Sequence, residues 1–219
     1  MTEPVSVTDV RAFDPQGDLA EALDVARAGG VLVYPTETVY GLGGTLDPGA
    51  VAAVRHLKRR EADKPLLVLV PGIEAVEGLA WTPEALELAR AFWPGSVTLV
   101  LRDPGGLFPL GVRSGAGAVA VRQSSHPVAA ALVRALGAPL TSTSANAPGE
   151  PPALSGEVAL AAARAMAPLG PLHLLDAGSL PPSPPSTIVD CTGDRPRVLR
   201  AGSTPVSRLR CVLPDLQDG

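Results

Sequence analysis

The chain has 219 residues, which is enough for one large domain with a sizeable buried core. It contains 24 prolines and 23 glycines, a share just below that of low-complexity chains, and 46% of its residues are apolar. These values exclude collagen, coiled coils and intrinsic disorder. A formal net charge of −4 and an aromatic content of 3% give no support to nucleic-acid binding, although they do not exclude it.

The basic residues of the chain are almost all arginines. Of the 18 basic side chains only two are lysines, Lys58 and Lys64, and both lie in the segment LKRREADKPL. Two interpretations stay open: a compositional bias towards arginine combined with chance, or retention of lysine where a compact ammonium group is required. Two cysteines, Cys191 and Cys211, are too few for a disulfide scaffold and lack the spacing of metal ligands.

The first half of the chain predicts helices alternating with buried strands. The N-terminus has no basic segment followed by an apolar stretch, so we expect a soluble, cytoplasmic protein without membrane contact. In chain order, the predictions are a helix over 18–28 with Asp18 as N-cap, a strand over 31–34, a turn over 36–44, a helix over 48–59 capped by Asp47, and a strand over 66–70.

The second half continues this alternation. The predictions are a helix over 82–92, strands over 97–102 and 118–122, a helix over 127–136 ended by Gly137, a strand leading into TSTSAN, a helix from Ser155 to Met166, and strands at HLLD, STIVD and RVLR. Such alternation predicts a single α/β domain with a largely buried sheet. Beyond Gly202 we expect only a short tail.

The familiar nucleotide and nucleophile motifs are absent from the sequence. GLGG at 41–44 lacks the third glycine of a dinucleotide fingerprint, and neither lysine follows a glycine as a P-loop requires. There is no G-x-S-x-G or S-x-x-K motif. The three histidines are isolated along the chain, which favours structural roles.

Four polar segments, each beside a predicted strand, remain as candidates for a ligand site. They are PTETVYGLG at 35–43, the basic run 58–64, TSTSAN at 141–146 and PSTIVD at 185–190, together with Arg122 and Arg200 at strand ends. Each taken alone has an ordinary structural explanation, such as a turn or a helix C-terminus satisfied by basic residues. Together they predict a basic, hydroxyl-lined anion site.

The order of these segments resembles the YrdC-like family of threonylcarbamoyl-AMP synthases. The resemblance rests on PTETVYGLG, K-x-R with a downstream P-L, AVR, STSAN, PSTIVD and a final R-x-G, and covers roughly residues 15–202. It implies a twisted, open mixed sheet with flanking helices and a cationic central hollow. It also implies condensation of L-threonine, bicarbonate and ATP into threonylcarbamoyl-AMP and pyrophosphate with Mg²⁺.

The resemblance also assigns residues. It places Lys58 and Arg60 as catalytic groups at the ATP phosphates, and it places around ATP the further residues Ser142, Ser144, Asn146 and Arg200. Around L-threonine it places Thr36, Thr38, Lys64, Arg122 and Ser186. The chain departs from the family pattern at Pro148 and Pro152, where serines are usual. It leaves the magnesium ligands open, with Glu37 and Asp190 as nearby carboxylates.

The resulting organisation is an N-terminal extension at 1–14, a YrdC-like catalytic domain at 15–202 and a C-terminal tail at 203–219. The implied partner is a downstream tRNA threonylcarbamoyl transferase, with little direct tRNA binding by this chain. Two alternatives stay open. One is an RNA-binding or ribosome-assembly module that uses the same hollow without catalysis, and the other is an acyl or carbamoyl transferase with a different amino donor.

Overall fold

The computed structural model describes residues 5–59, 64–166 and 170–219. Strands and helices alternate in it, as the sequence predicts for an α/β domain. The strands are β1 (Val5–Asp9), β2 (Val31–Pro35), β3 (Tyr40–Gly43), β4 (Leu67–Leu69), β5 (Val97–Arg102), β6 (Ala118–Arg122), β7 (Leu140–Ser144), β8 (Leu172–Asp176), β9 (Thr187–Asp190), β10 (Arg197–Arg200) and β11 (Gln217–Asp218). The helices are α1 (Ala20–Arg27), α2 (Pro48–Leu57), α3 (Pro83–Phe92), α4 (Pro127–Leu136), α5 (Gly156–Ala165) and α6 (Val206–Val212).

All the described strands join one open, mixed sheet. Its strand order is β1-β8-β2-β3-β7-β4-β6-β5-β9-β10-β11. The pairs β1–β8, β2–β8, β4–β6, β5–β9 and β10–β11 are parallel, and the other neighbouring pairs are antiparallel. The predicted fold class, a single α/β domain with a mixed open sheet and flanking helices, is confirmed.

Helix starts follow local sequence signals in three cases. The side chains of Thr82, His126 and Ser155 each accept a hydrogen bond from a backbone N–H in the first turn of α3, α4 and α5. Gly137 ends α4 in the left-handed conformation with φ of 65°. The predicted Asp18 cap is wrong: α1 begins after Leu19, and the Asp18 carboxylate instead accepts from the Asp14 N–H.

Four elements lie where the sequence predicted a turn, an extension or a tail. Residues predicted to turn after β2 contain β3, whose glycines allow close strand packing. A Cβ on Gly43 would lie 1.6 Å from the Thr141 carbonyl oxygen, so only glycine fits there. At the N-terminus β1 adds a strand at the sheet edge. In the C-terminal segment α6 carries Leu209, which is fully buried, and β11 pairs with β10.

Two hydrophobic clusters lie on the two faces of the sheet. The larger contains buried residues of α2, α3, α5 and α6, and the smaller is formed by α1 and α4 with β2, β8 and neighbouring strands. Leu67 of β4 packs at the border of the smaller cluster and also lines a cavity. The cavity lies at this border. Within the described part of the chain, no helix has the length and apolar character needed to cross a membrane.

Candidate active site

A cavity of about 380 Å³ lies over the part of the sheet that runs from β3 through β7, β4, β6, β5 and β9 to β10. Its floor is one row of cross-strand partners: Ser142 pairs with Leu67, Leu67 with Ala120, and Ala120 with Val100. Partners in register share a face of the sheet, so these four side chains project into the same space. Ile188 and Leu199 extend the apolar part of the floor.

Polar side chains from separate segments of the chain line the same cavity. Seven of the eleven residues singled out from the sequence are among its lining residues: Thr36, Thr38, Arg122, Ser142, Ser144, Ser186 and Arg200. They come from the turn after β2, the end of β6, the strand β7, the entry to β9 and the end of β10. Three of the four polar segments therefore supply lining residues. The described residues of the basic run 58–64 supply none, and Lys58 instead contacts the Ser144 and Asn146 carbonyls.

The turn after β2 is closed by Thr36. Its hydroxyl donates to the Val39 carbonyl at 2.6 Å and accepts from the Thr38 and Val39 N–H groups at 3.3 and 3.2 Å. The Thr38 hydroxyl lies 3.1 Å from the Thr36 hydroxyl, and both side chains are buried. This side-chain turn returns the chain into β3 and fixes two hydroxyls at the cavity wall.

Lys58 reaches the segment after β7 from the end of α2. Its ammonium donates to the Ser144 carbonyl at 2.9 Å, to the Asn146 carbonyl at 2.6 Å and to Asn146 Oδ1 at 2.8 Å. The Ser144 hydroxyl donates to the same Oδ1, and the Asn146 amide donates to the Glu150 carbonyl. Three acceptors around one nitrogen suit a compact ammonium group. The hydrogen bonds to them fix the shape of the STSAN segment.

Arg200 and Ser186 form the opposite wall. The Arg200 guanidinium donates to the Ser186 carbonyl at 2.9 and 3.1 Å and to the Ser186 hydroxyl at 3.3 Å. That hydroxyl also lies 2.9 Å from the Thr98 hydroxyl. Arg200 is exposed as a residue, but partial burial of its side chain, and then the nearby charge of Arg122, lower the pKa of Arg200. The guanidinium stays protonated, because arginine keeps its charge in proteins.

Arg122 ends β6 and is the more deeply buried of the two arginines, with 4% of its surface exposed. Its Nη1 lies 3.1 Å from Glu37 Oε1. Glu37 belongs to the turn closed by Thr36, and its other oxygen accepts from the Ser124 hydroxyl. This ion pair therefore joins the turn after β2 to the end of β6.

The remaining predicted residues do not line the cavity or lie outside the part of the chain that the structure describes. Arg60 lies outside the described residues. Lys64 is not among the cavity lining, but the next residue, Pro65, is. Pro152, which departs from the family pattern, does line the cavity, so the usual serine there is replaced by an apolar group at the site itself.

Sequence reasoning missed several residues of the site. Thr98 and Ser124 are buried partners of Ser186 and Glu37, and the apolar floor was not predicted as a ligand surface. The floor has no sequence signal, because residues 118–121 of β6 are all apolar and do not distinguish the cavity face from the core face. Thr98 and Ser124 have none either, because their partners are remote in sequence.

Magnesium finds no protein carboxylate at the cavity wall. The lining residues within the described ranges include hydroxyls and arginines but neither aspartate nor glutamate. Glu37 is engaged by Arg122 and Ser124, and Asp190 by Thr192 and Arg197. Across the described residues, no cluster of three or more metal-ligating side chains occurs. These residues do not fit a resident magnesium ion, which prefers carboxylate and phosphate oxygens.

The sequence and structure were compared with those of known proteins. A family model named for Sua5, YciO and YrdC, with the description "Telomere recombination", matches residues 24–202. The chain belongs to the Sua5/YciO/YrdC family. The match includes every residue singled out above, from the turn after β2 to the end of β10.

Individual relatives of this family support the assignment. A protein of Mycobacterium tuberculosis is 41% identical over an alignment of 202 residues, and the match covers 89% of this chain and 88% of the relative. A Bacillus subtilis protein named threonylcarbamoyl-AMP synthase is 36% identical over 215 residues, and the match covers 95% of this chain and 60% of that protein.

A solved structure shares the fold over nearly the whole chain. The crystal structure of Sua5 of Pyrococcus abyssi, complexed with L-threonine, matches with a TM-score of 0.88 and 30% identity. The match covers 99% of this chain and 62% of that one, so this Sua5 has a further part without a counterpart here. At this coverage the shared part includes β1 and α6, which sequence reasoning did not predict.

Proposed function

We propose that the chain condenses L-threonine, bicarbonate and ATP into threonylcarbamoyl-AMP and pyrophosphate, the first step of tRNA threonylcarbamoyladenosine formation. The observation that carries this proposal is the convergence of Thr36, Arg122, Ser142, Ser186 and Arg200 on one cavity. Support comes from the Bacillus subtilis relative, which is named for this activity, and from the Sua5 structure that holds L-threonine.

The reaction needs positioning and charge neutralisation more than covalent or acid–base chemistry. The amine of threonine attacks the carbon of bicarbonate or of its carbon dioxide, which gives a carbamate and, from bicarbonate, water. A carbamate oxygen then attacks the α-phosphorus of ATP, and the bond to the bridging oxygen breaks to release pyrophosphate. Such a transfer requires in-line geometry and stabilisation of the charge that develops on the phosphate oxygens.

Different walls of the cavity would provide the positioning and the charge neutralisation. Arg122, with the hydroxyls of Thr36, Thr38 and Ser186, would hold the carboxylate and polar groups of threonine. Lys64 is assigned to the same substrate through the family resemblance and adjoins the lining at Pro65.

The nucleotide would lie against the opposite segment. Ser142 and Ser144, with the STSAN segment that Lys58 and Asn146 shape, would hold the phosphates. Arg200 and Arg60 complete the assignment to ATP, Arg60 on the family resemblance alone. Fixed donors and cations of this kind stabilise a transferring phosphoryl group without reorganising.

Magnesium enters as part of the substrate. Because the described lining offers no carboxylate, we propose that Mg²⁺ arrives coordinated by the ATP phosphates and neutralises part of their charge. The downstream partner would be a transferase that moves the threonylcarbamoyl group to tRNA. We propose a cytoplasmic location, where these substrates and tRNA occur.

The proposal is tested by measuring pyrophosphate release with purified protein. We expect release from Mg–ATP to require both bicarbonate and L-threonine, and L-serine to be a poorer substrate. Equal rates with serine and threonine would favour a transferase with another amino donor. Salt-dependent tRNA binding without any pyrophosphate release would favour the RNA-binding alternative.

A further inference from the structure

Arg122 is held from behind by a carboxylate that does not itself line the cavity. Ala120 and Arg122 of β6 lie on the same face of the sheet, and both line the cavity. Glu37 is absent from the lining, yet its Oε1 lies 3.1 Å from Arg122 Nη1. The carboxylate therefore contacts the guanidinium away from the space that a ligand would fill.

Glu37 is itself anchored by the chain that follows Arg122. The Ser124 hydroxyl donates to Glu37 Oε2, and the same hydroxyl oxygen accepts from the His126 N–H at 3.2 Å. The side chain of His126 accepts from the Val128 N–H and so begins α4. Glu37 thus connects the turn after β2 to the start of α4 and to the end of β6.

The arginine keeps unused hydrogen-bonding capacity. Among the described residues, Arg122 Nε is buried and has no hydrogen-bond partner, although Arg122 lines the cavity. Glu37 Oε1 also lacks a partner of good geometry, because its contact with Nη1 is an ion pair and not an aligned hydrogen bond. A buried donor left without an acceptor is costly, so a ligand that gave Arg122 Nε an acceptor would remove this cost.

We propose that Glu37, fixed by Ser124, is a positioning residue that orients the Arg122 guanidinium towards the carboxylate of the amino-acid substrate. The substrate part of this inference rests on the proposed function. The orientation of Arg122 by Glu37 does not depend on the proposed function. Glu37 acts through Arg122, and this assigns it a role other than magnesium binding.

The physical basis is the geometry of a guanidinium in a buried site. A guanidinium recognises a carboxylate through two parallel N–H bonds, so its plane must be fixed before the ligand arrives. Between a buried cation and a buried anion the attraction is stronger than in water, which lets Glu37 restrict Arg122 to one rotamer. A neutral side chain of the same shape at position 37 would leave the charge of Arg122 intact and remove this restriction.

The first test follows Arg122 without any substrate. The Nε–Hε signal of Arg122, assigned through bonds by NMR in the full chain, should exchange slowly with solvent in the wild type. We expect exchange to accelerate at least about tenfold in Glu37→Gln and less in Ser124→Ala. Glu87→Gln, which changes an exposed carboxylate on α3, is the control and should leave the rate unchanged. Unchanged exchange in Glu37→Gln would overturn the positioning role.

The second test is a double-mutant cycle on L-threonine affinity, measured by calorimetry. We expect Glu37→Gln to weaken threonine binding about tenfold or more. If Glu37 acts through Arg122, combining it with Arg122→Lys should weaken binding no further than Arg122→Lys alone. Full multiplication of the two effects would mean that Glu37 acts independently and would overturn the proposal.

These readouts separate the two hypotheses. If the wild-type chain binds no threonine at millimolar concentration, the proposed function fails, and the exchange rate of Arg122 Nε–Hε alone decides the role of Glu37. If threonine binds but Glu37→Gln leaves both affinity and exchange unchanged, only the positioning role fails. A loss of melting temperature with unaltered affinity would show that Glu37 is merely structural, which also contradicts the proposal.

Discussion

At the scale of single residues, Lys58 joins the basic run to the STSAN segment. Its ammonium donates to three oxygens that belong to two residues, Ser144 and Asn146. This geometry gives a physical reason for a lysine at this position in a chain whose basic residues are almost all arginines. A planar guanidinium spreads its donors over several nitrogens and cannot place three bonds from one point.

We expect Lys58→Arg, which keeps the charge, to lower the rate of pyrophosphate release about 100-fold through misplacement of the STSAN segment. Lys58→Ala should lower it at least as much while the fold persists. Circular dichroism and a pyrophosphate assay check both, with Arg90→Lys on α3 as the control. Full activity of Lys58→Arg would show that the lysine is an accident of composition.

His173 is another residue whose environment has a measurable consequence. It is fully buried on β8, its Nδ1 lies 2.7 Å from the Ser6 hydroxyl, and burial lowers its pKa below the usual 6.5 despite the opposing charge of Glu21. The unfolded chain then binds the proton more readily than the folded chain. The stability that comes from neutral His173 is present above pH 6.5 and is lost as pH falls towards the folded pKa.

We therefore expect the melting temperature to depend less on pH between 7 and 5 in His173→Asn than in the wild type. Asparagine retains a polar atom near the Nδ1 position but does not titrate. Exposed His56, changed to Asn, is the matched control and should keep the wild-type pH dependence. An unaltered slope in His173→Asn would contradict the assignment.

At the scale of elements, the sequence predicts the helices and strands whose local signals are strong and misses those whose signals are ambiguous. α3, α4 and α5 begin at capping residues and β5 and β6 have predicted bounds, because propensity, capping and packing agree there. β3 was predicted as a turn, since its glycines suit turns as well as close strand packing. Only the partner strand β7 decides between them.

The same distinction holds for the site. Motifs identified seven polar residues that line the cavity, because chemistry requires particular side chains at particular spacings. The ion pair of Glu37 and Arg122 could not be predicted, since it depends on how the turn after β2 meets the end of β6. Neither could the apolar floor, which arises from the register of four strands.

The pairing of β3 with β7 yields a prediction for Gly43. A Cβ there would overlap the Thr141 carbonyl oxygen, so Gly43→Ala must separate β3 from β7, the strand that carries Ser142 and Ser144. We expect the free energy of unfolding to fall by about 3 kcal/mol or more, within the range of severe backbone effects. Chemical denaturation checks this value.

Gly49 in the first turn of α2 is the matched control. A Cβ there would meet no atom within 4 Å, so Gly49→Ala should leave the stability unchanged or raise it by up to about 1 kcal/mol. A similar loss in both variants would contradict the close-packing explanation for Gly43.

At the scale of the whole molecule, the C-terminal segment completes the core and supports the cavity. Leu209, Leu213 and Leu216 belong to the larger hydrophobic cluster. The Ser203 N–H donates to the Pro185 carbonyl, and the Thr204 carbonyl accepts from Thr187, so the same segment holds the entry to β9. Residues 203–219 therefore stabilise the wall that carries Ser186.

We expect truncation after Gly202 to prevent cooperative folding, because each buried leucine contributes about 1.5–3 kcal/mol and a domain has only about 5–15 kcal/mol in total. Truncation after Leu216 removes the exposed residues Gln217 and Asp218 and should retain a cooperative transition. Thermal unfolding followed by circular dichroism compares the two. A cooperative transition after truncation at Gly202 would show that the segment is a dispensable tail.

The central claim, that this cavity makes threonylcarbamoyl-AMP, is tested most directly with labelled bicarbonate. Purified chain is incubated with Mg–ATP, L-threonine and carbon-14 bicarbonate, and the nucleotides are separated. We predict a labelled product that contains AMP and threonine, formed in equal amount with pyrophosphate and absent when threonine or ATP is omitted. Pyrophosphate released without incorporation of label, or no product under these conditions, would contradict the account.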